Sequence, residues 1–253
     1  MKNEFKVSSL AKALTILECF TADSPELGIS QISERLIIGK TTVHNIVSTF
    51  KKMGYLEQNP ENGKYHIGLK MLEYSYIVNE YLGFQRAIYP VVQSILPALE
   101  DILYIGVPKD NYVIYLFAHY PLSKEFDYPM HSMMGKKAPM YCTGIGKAML
   151  AFLPGDIAEI YIKQPRKRIT QNTIVDENAL RNDLNLTRLR GYSIDNMEHE
   201  SDISCIGVPI FNSRNVLIAA MSISVYMTRF NDELIKRYSE LLMTASMKMK
   251  TFI

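Results

Sequence analysis

The sequence predicts an α+β fold in two parts, a small helical part followed by a larger part built on an antiparallel sheet. Apolar residues recur at helical spacing up to about residue 50, and a hairpin pattern around Asn62-Gly63 follows them. From about residue 99, paired strand patterns alternate with helices. With 253 residues, 47% of them hydrophobic, the chain is long enough to bury a core in each part.

Three helices are predicted at the start of the chain. Apolar residues at helical spacing after Ser9 predict a first helix that ends near Phe20. Ser30 is expected to cap a second helix, and Gly39 is expected to supply the tight bend before a third. The first two helices and the bend are therefore expected to set the direction of the third.

The third predicted helix has one apolar face and one polar face. Val43, Ile46, Val47 and Phe50 recur at positions i, i+3, i+4 and i+7, which places them on one side of a helix that ends at Gly54. The opposite side carries short hydrogen-bonding side chains. This pattern predicts a helix that packs on a core and presents a polar surface.

The stretch Gly39-Lys40-Thr41 also resembles the end of a phosphate-binding loop. Such a loop needs a glycine five residues earlier and a strand leading into it, because glycines let backbone N–H groups curl around phosphates. Position 34 is Glu, and the preceding pattern is helical. A nucleotide loop is therefore rejected.

Two extended segments, Tyr55–Gln58 and Lys64–Ile67, flank the turn Asn59–Gly63 and predict a hairpin. Three helices followed by a hairpin form a winged helix-turn-helix, in which the third helix lies in the DNA major groove. Residues 40–70 contain five lysines and two glutamates, whereas basic and acidic residues balance from residue 71 onward. Polar and basic side chains of this region are the predicted DNA-binding residues: Lys40, Thr41, Thr42, His44, Asn45, Ser48, Lys51, Lys52 and Lys64.

Residues 68–83 are predicted to form a linker helix, between a winged domain at residues 1–67 and a second domain at residues 84–253. Such a helix can pair with its copy, which favours a homodimer or a dimer of dimers. Pro90 suits the first turn of a further helix that Pro97 limits.

The second domain is predicted to contain two hairpins and four further helices. Strand pairs joined by short turns imply an antiparallel sheet with helices packed on it. Asp176 and Asn231 are expected to cap two of the helices. The predicted strands are Ile102–Val107, Tyr112–Ala118, Cys205–Phe211 and Val216–Val225, and the predicted helices are Gly144–Leu153, Asp156–Lys163, Asp176–Arg190 and Asn231–Lys250.

Several classes of protein are disfavoured by the sequence. Its apolar runs are far shorter than the roughly 20 residues of a membrane helix, and its charged amino terminus is unlike a secretion signal. Three widely spaced cysteines, with no CxxC pair, suit thiols in a reducing cytoplasm and disfavour a metal site. No cofactor is expected. A Cys–His enzyme is a weaker alternative, as is a module whose winged helix binds another protein.

Several ordered blocks resemble the isocitrate-lyase-regulator (IclR) family of bacterial transcription factors. They include "LAKALTILECF", "GKTTVHNIVSTFKKMGYLEQNPENGKYHIGLKMLE", "MYCTGIGKAMLAFLP", "RGYSIDNME", "CIGVPIF" and "AAMSISV". The resemblance implies an amino-terminal winged helix for operator DNA and a carboxy-terminal GAF-like domain for a small effector. It also implies a dimer or a dimer of dimers.

Carried over through matching motifs, the resemblance places an effector pocket on Gly144, Ile145, Asp195, Cys205, Ser222 and Ser224. A glycine-rich helix start also offers free N–H groups and a positive dipole end to a carboxylate. Met130, Met134 and Met140 precede this helix, and flexible thioethers adapt to varied ligands. The expected effector is a small organic or aromatic acid that controls a catabolic operon, with a sugar-derived acid as the alternative.

Overall fold

The computed structural model describes residues 5–82, 88–121 and 134–251. The chain divides into two compact units, Met1–Leu82 and Gly83–Ile253. The predicted fold class is confirmed: the first unit is a winged helix-turn-helix, and the second is an antiparallel sheet with flanking helices.

Three helices of the first unit pack around one small core: α1 (Ser8–Glu18), α2 (Ile29–Leu36) and α3 (Lys40–Met53). Val43 and Val47 are fully buried in this core, and Ile46 and Phe50 pack against it. The apolar face predicted for the third helix is therefore confirmed. The helix ends at Gly54, which has a φ of 82° that favours glycine.

The predicted cap at Ser30 is wrong, because Ser30 lies inside α2. α1 begins after Val7 with no side-chain cap, so Ser8 and Ser9 lie inside the helix. The residue before α2 is Gly28, whose N–H donates to the side chain of Gln31 at 2.9 Å. Serine is common both at caps and in first turns, so its presence alone does not fix where a helix begins.

Strands β1 (Leu56–Gln58) and β2 (Tyr65–Ile67) pair antiparallel and form the predicted wing. A helix, α4 (Lys70–Leu82), follows them and lies within the predicted linker. Most of its apolar side chains are exposed: Leu72, Tyr74, Tyr76, Ile77, Val78 and Tyr81.

The second unit is built on a six-stranded sheet in the order β5-β4-β3-β8-β7-β6, with every neighbouring pair antiparallel. The four predicted strands are confirmed, and β5 and β6 were not predicted. The bounds are β3 Ile102–Lys109, β4 Tyr112–His119, β5 Lys137–Pro139, β6 Ser193–Asn196, β7 Ile203–Phe211 and β8 Leu217–Tyr226.

Helices cover both faces of the sheet and enclose two apolar cores. The predicted caps are confirmed, because Asp176 accepts from the Ala179 N–H at 2.8 Å and Asn231 accepts from the Leu234 N–H at 2.9 Å. The helices are α5 Tyr89–Ile95, α6 Gly144–Phe152, α7 Gly155–Ile162, α8 Glu177–Arg190 and α9 Asp232–Lys250, with 3₁₀ turns at Leu96–Ala98 and Met227–Arg229. Helix α6 and the sheet position the candidate site.

Candidate effector site and DNA-binding surface

A cavity of about 290 Å³ lies between the amino end of α6 and the sheet. Its lining is mainly apolar, with isoleucine side chains and tyrosine rings, and hydroxyl, carboxyl and amino groups are placed among them. The residues that line it are Ile102, Tyr104, Tyr115, Tyr120, Lys136, Lys137, Ala138, Thr143, Gly144, Ile145, Asp195, His199, Glu200, Ile203, Cys205, Ser222 and Ser224.

The sheet register brings the predicted residues together on the cavity floor. Asp195 of β6 pairs with Cys205 of β7, which pairs with Ser224 of β8. One step along the same face, Ser222 of β8 pairs with Tyr104 of β3. Since alternate residues of a strand face the same side, these side chains share one surface.

The start of α6 lies very close to β7. A Cβ atom on Gly144 would lie 2.8 Å from the Cβ of Cys205, and one on Gly207 would lie 2.3 Å from the Gly144 carbonyl oxygen. The Ser193 hydroxyl donates to the same carbonyl. Two glycines are therefore required for this close approach.

Thr143 caps α6, because its hydroxyl accepts from the Gly146 N–H at 3.1 Å. The N–H groups of Gly144 and Ile145, in the first turn, have no intrahelical acceptor. Both residues line the cavity. Free N–H groups and the positive end of the helix dipole favour an anionic group at this position.

Asp195 is only 1% exposed, and its carboxylate accepts from the Glu198 N–H at 2.7 Å. Burial raises the pKa of Asp195 to about 7, although the nearby Lys147 charge opposes this shift. Near neutral pH the group therefore exists in both protonation states, and its protonated form can donate a hydrogen bond within the cavity.

Behind Asp195, the fully buried Lys147 of α6 forms ion pairs with Glu198 and with Asp183, the latter at 2.9 Å. The pKa of Glu198 is raised by its own burial, and Lys147 opposes this. The hydroxyls of Thr170 and Thr173 donate to the carbonyls of Met197 and Glu198. These contacts hold the segment that carries the cavity residues His199 and Glu200.

Cys205 and Ser224 interact directly, with 3.1 Å between Sγ and Oγ. Burial, followed by the charge of Asp195, raises the pKa of the Cys205 thiol well above its usual value. Burial likewise raises the pKa of Cys142 to about 12. Both groups are therefore neutral thiols, in contrast to the thiolate that a nucleophilic cysteine requires.

Six of the nine predicted effector residues line the cavity: Gly144, Ile145, Asp195, Cys205, Ser222 and Ser224. Met140 and Met134 do not, because Met140 is fully buried in the core below α6 and the Met134 side chain is 53% exposed. Met130 lies outside the described residues.

Other cavity residues were not predicted. Tyr104 lies two residues after Ile102 on β3, and both line the cavity. Because alternate residues of a strand share a face, this spacing could have indicated that the two side chains lie together. Lys137 begins the unpredicted strand β5, and Lys136 directly precedes it. His199 and Glu200 follow the unpredicted strand β6, and no local pattern marks them.

The predicted DNA-binding residues lie on α3 and near the wing. Lys40, Thr41, Thr42, His44, Asn45, Lys51 and Lys52 are exposed, and Ser48 and Lys64 are partly buried. The His44 and Asn45 side chains form no hydrogen bond to another described residue. Lys51 donates to Gln58 of the wing at 2.8 Å. The outer face of α3 is therefore polar and accessible to a binding partner.

Within residues 5–82, 88–121 and 134–251, no group of three or more His, Cys, Asp or Glu side chains is arranged to hold a metal ion. The helices in the same ranges are all too short or too polar to cross a membrane.

A winged helix-turn-helix followed by an antiparallel sheet domain is an architecture found in transcriptional regulators. Residues 9–60 match the IclR helix-turn-helix domain, and residues 82–251 match the C-terminal domain of bacterial IclR regulators. The chain belongs to the IclR family of transcriptional regulators.

Similar proteins of known class agree with this assignment. The HTH-type transcriptional regulator KdgR of Escherichia coli is 31% identical over 248 residues, covering 98% of this chain and 93% of KdgR. The p-hydroxybenzoate hydroxylase transcriptional activator of Acinetobacter baylyi is 28% identical over 231 residues, covering 88% and 82%. The crystal structure of Thermotoga maritima IclR has a TM-score of 0.73 at 26% identity, covering 96% and 98%.

Proposed function

We propose that this chain is an effector-responsive regulator that binds operator DNA through α3 and the wing. The observation that carries the proposal is that one chain has both an exposed polar helix face and a largely apolar cavity that contains a few polar groups. Thr, His and Asn side chains can read base edges in the major groove. The lysines at the end of α3 can neutralise phosphates.

The effector is a small carboxylic acid. Its carboxylate is held by the N–H groups of Gly144 and Ile145, near the hydroxyls of Ser222 and Ser224. The cavity of about 290 Å³ suits a metabolite rather than a large cofactor. The regulated genes are those of a catabolic operon for this acid, and a bacterial regulator of this kind acts in the cytoplasm, where the DNA is.

The chain acts as a homodimer or a dimer of dimers. The exposed apolar side chains of α4, such as Leu72 and Tyr76, support this because a surface helix with such a stripe is stabilised by pairing. Effector binding then favours one arrangement of the subunits and changes the spacing of the two α3 helices.

We do not propose a catalytic activity for this chain. The neutral Cys205 thiol and the absence of a hydrogen bond between a described histidine and a described cysteine disfavour a Cys–His nucleophile. The relatives described above are transcriptional regulators.

The test is selection of genomic DNA fragments by the full chain, followed by affinity measurements at increasing salt. A regulator is expected to select specific fragments and to lose about 0.9 log units of affinity per log unit of salt for each phosphate contacted. Equal affinity for every fragment would contradict the proposal, as would affinity that does not change with salt.

A further inference from the structure

The carboxyl end of α3 is held against the start of α4 at a joint formed by residues 50–57 and 68–74. Its closest contact joins two backbone segments, because a Cβ atom on Gly68 would lie 2.3 Å from the carbonyl oxygen of Gly54, where α3 ends. The Gly68 N–H also donates to the Tyr55 carbonyl at 2.9 Å. Since a side chain at Gly68 would push the two segments apart, this approach requires glycine.

Lys70, the first residue of α4, extends back to α3. Its ammonium group donates to the carbonyl of Met53, the last residue of α3, at 3.1 Å and lies 5.0 Å from the centroid of the Tyr55 ring. The last carbonyls of a helix have no intrahelical donor and lie at the negative end of its dipole, so a cation is favoured there. Lys70 therefore caps α3 although it belongs to α4.

Three aromatic rings add a second connection. Phe50 of α3 meets the Tyr55 ring edge to face, with 6.0 Å between centroids, and the Tyr55 ring stacks on Tyr74 of α4, also at 6.0 Å. The hydroxyls of Tyr55 and Tyr74 lie 2.8 Å apart and share a hydrogen bond. Phe50 packs against the core of the first unit, so the rings connect α4 to the core that holds α3.

The wing holds the same end of α4. Glu57 of β1 accepts from the Leu69 N–H at 3.0 Å, directly before the first residue of α4. An N–H at a helix start has no intrahelical acceptor, and a carboxylate satisfies it. The start of α4 is therefore held by both elements that are proposed to contact DNA.

The contacts of the joint lie at several separate points. One hydrogen bond at a surface is weak and permits rotation about its own axis. A backbone contact, a capping lysine, a ring stack and a carboxylate together fix both the direction and the rotation of α4 relative to α3.

We propose that Lys70 and Tyr74 are positioning residues that make α3 and α4 move as one rigid body. The inference rests on the proposed function, since it assumes that the chain binds DNA as a dimer through paired α4 helices. The two α3 helices then keep the separation that the α4 pair sets, and rotation of α4 rotates α3 with it. Through α3, Lys70 and Tyr74 thereby decide which half-site spacing the dimer accepts.

The test measures spacing discrimination, the ratio of affinity for the selected operator to affinity for the same operator with one base pair inserted between its half-sites. One base pair moves a half-site by about 3.4 Å and rotates it by roughly 34°. A rigid joint does not let α3 follow this shift, so wild type is expected to prefer the selected spacing at least about tenfold. Fluorescence anisotropy of labelled duplexes with the full chain measures both affinities.

Lys70→Met keeps the length of the side chain and removes its charge and its N–H donors. The variant is expected to reduce spacing discrimination about fivefold, because the cation contact with Tyr55 and the hydrogen bond to Met53 are both lost. A lysine that acted only on DNA phosphates would instead weaken both duplexes alike and leave the ratio unchanged.

Tyr74→Phe removes only the hydroxyl that pairs with Tyr55, and it is the milder second variant should Lys70→Met fail to fold. Spacing discrimination is expected to fall about threefold. Tyr55→Phe should give the same fall, and the double variant should equal each single variant, because all three lack the same hydrogen bond.

Tyr112→Phe is the matched control. Tyr112 is 47% exposed against 45% for Tyr74, but it lies on β4 in the second unit. The same loss of a hydroxyl at this position should leave spacing discrimination at the wild-type value.

The inference is overturned if spacing discrimination does not fall in Tyr74→Phe or in folded Lys70→Met, or if it falls equally in Tyr112→Phe. Additive effects of Tyr55→Phe and Tyr74→Phe also overturn it, as does a wild-type chain that accepts both spacings equally. Selective, salt-sensitive DNA binding by the same preparation would still leave the proposed function standing. A wild-type chain that selects no genomic fragment would contradict the proposed function itself, so the two failures are distinguishable.

Discussion

The two units present their polar groups in opposite ways. The outer face of α3 exposes side chains such as His44 and Asn45 to solvent, where they form no hydrogen bond to described residues. The cavity of the second unit encloses Asp195 and Ser222, which are 1% and 2% exposed. An exposed polar group stays hydrated until it meets a partner, so it carries no desolvation cost. A buried polar group has lost that hydration, so its pKa shifts or its hydrogen-bonding capacity must be met inside the protein.

This difference shows where substitutions will affect stability and where they will affect only binding. Polar groups of the second unit are connected, from Asp195 through Glu198 to Lys147. The exposed polar side chains on α3 form no such network with each other. Substitutions in the cavity network are therefore expected to change folding and pH dependence, and substitutions on α3 to change only affinity for DNA.

The largest expected effect belongs to Lys147→Met. Removal of the ammonium group leaves the carboxylates of Glu198 and Asp183 near each other without a cation, and breaking a buried pair costs roughly 3–5 kcal/mol. Denaturant unfolding of the full chain measures the change. Lys163→Met is the control, since its side chain is 67% exposed and about 1 kcal/mol or less is expected. Equal effects from both variants would show that the buried network is not required for stability.

Asp195→Asn is expected to change how stability depends on pH. The native pKa of about 7 is above the ordinary value, so the folded chain holds a proton that the unfolded chain releases. The contribution of Asp195 is therefore greatest at acidic pH and falls by roughly 1.4 kcal/mol per pH unit as pH rises toward 7. Unfolding free energies from about pH 5 to about pH 8 should lose this slope in the variant. A slope equal to that of wild type would rule out the raised pKa.

Asn45→Ala tests base reading on α3. The loss of its amide is expected to cost roughly 1–3 kcal/mol on the selected operator and much less on random duplex. Competition binding with both DNAs measures the ratio, and unfolding should show little change because the side chain is exposed. A uniform loss on both DNAs would instead assign Asn45 to a phosphate contact.

The smallest expected effect is that of Lys52→Ala. Lys52 is exposed at the carboxyl end of α3, so its removal is expected to weaken all duplex sequences alike and to reduce the salt slope by about 1. Salt titrations on operator and random DNA measure it. A change confined to the operator would contradict the phosphate role.

Local patterns predicted most of the fold. The apolar spacing of Val43 and Val47 and the caps at Asp176 and Asn231 act within a few residues, so the sequence shows them directly. The short strand β6 (Ser193–Asn196) was missed because it is defined by its pairing with β7, and no local sequence pattern marks it.

The site was predicted less completely, since burial depends on distant residues. Lys147 resembles a surface lysine in the sequence, and its partner Glu198 lies 51 residues away. Tyr115 lies on β4, a strand so rich in apolar and aromatic residues that alternation does not reveal which face meets the cavity. Met140 illustrates the converse, because a methionine expected at the ligand is enclosed in the core instead.

Occupancy of the cavity and occupancy of the operator are expected to be coupled. This coupling is measured as the operator affinity of the full chain with and without a saturating small carboxylic acid, and as the affinity for that acid with and without operator DNA. Thermodynamic linkage requires both affinities to change by the same factor, which is expected to be about 5- to 150-fold. An operator affinity that stays the same when the acid is bound would contradict the account.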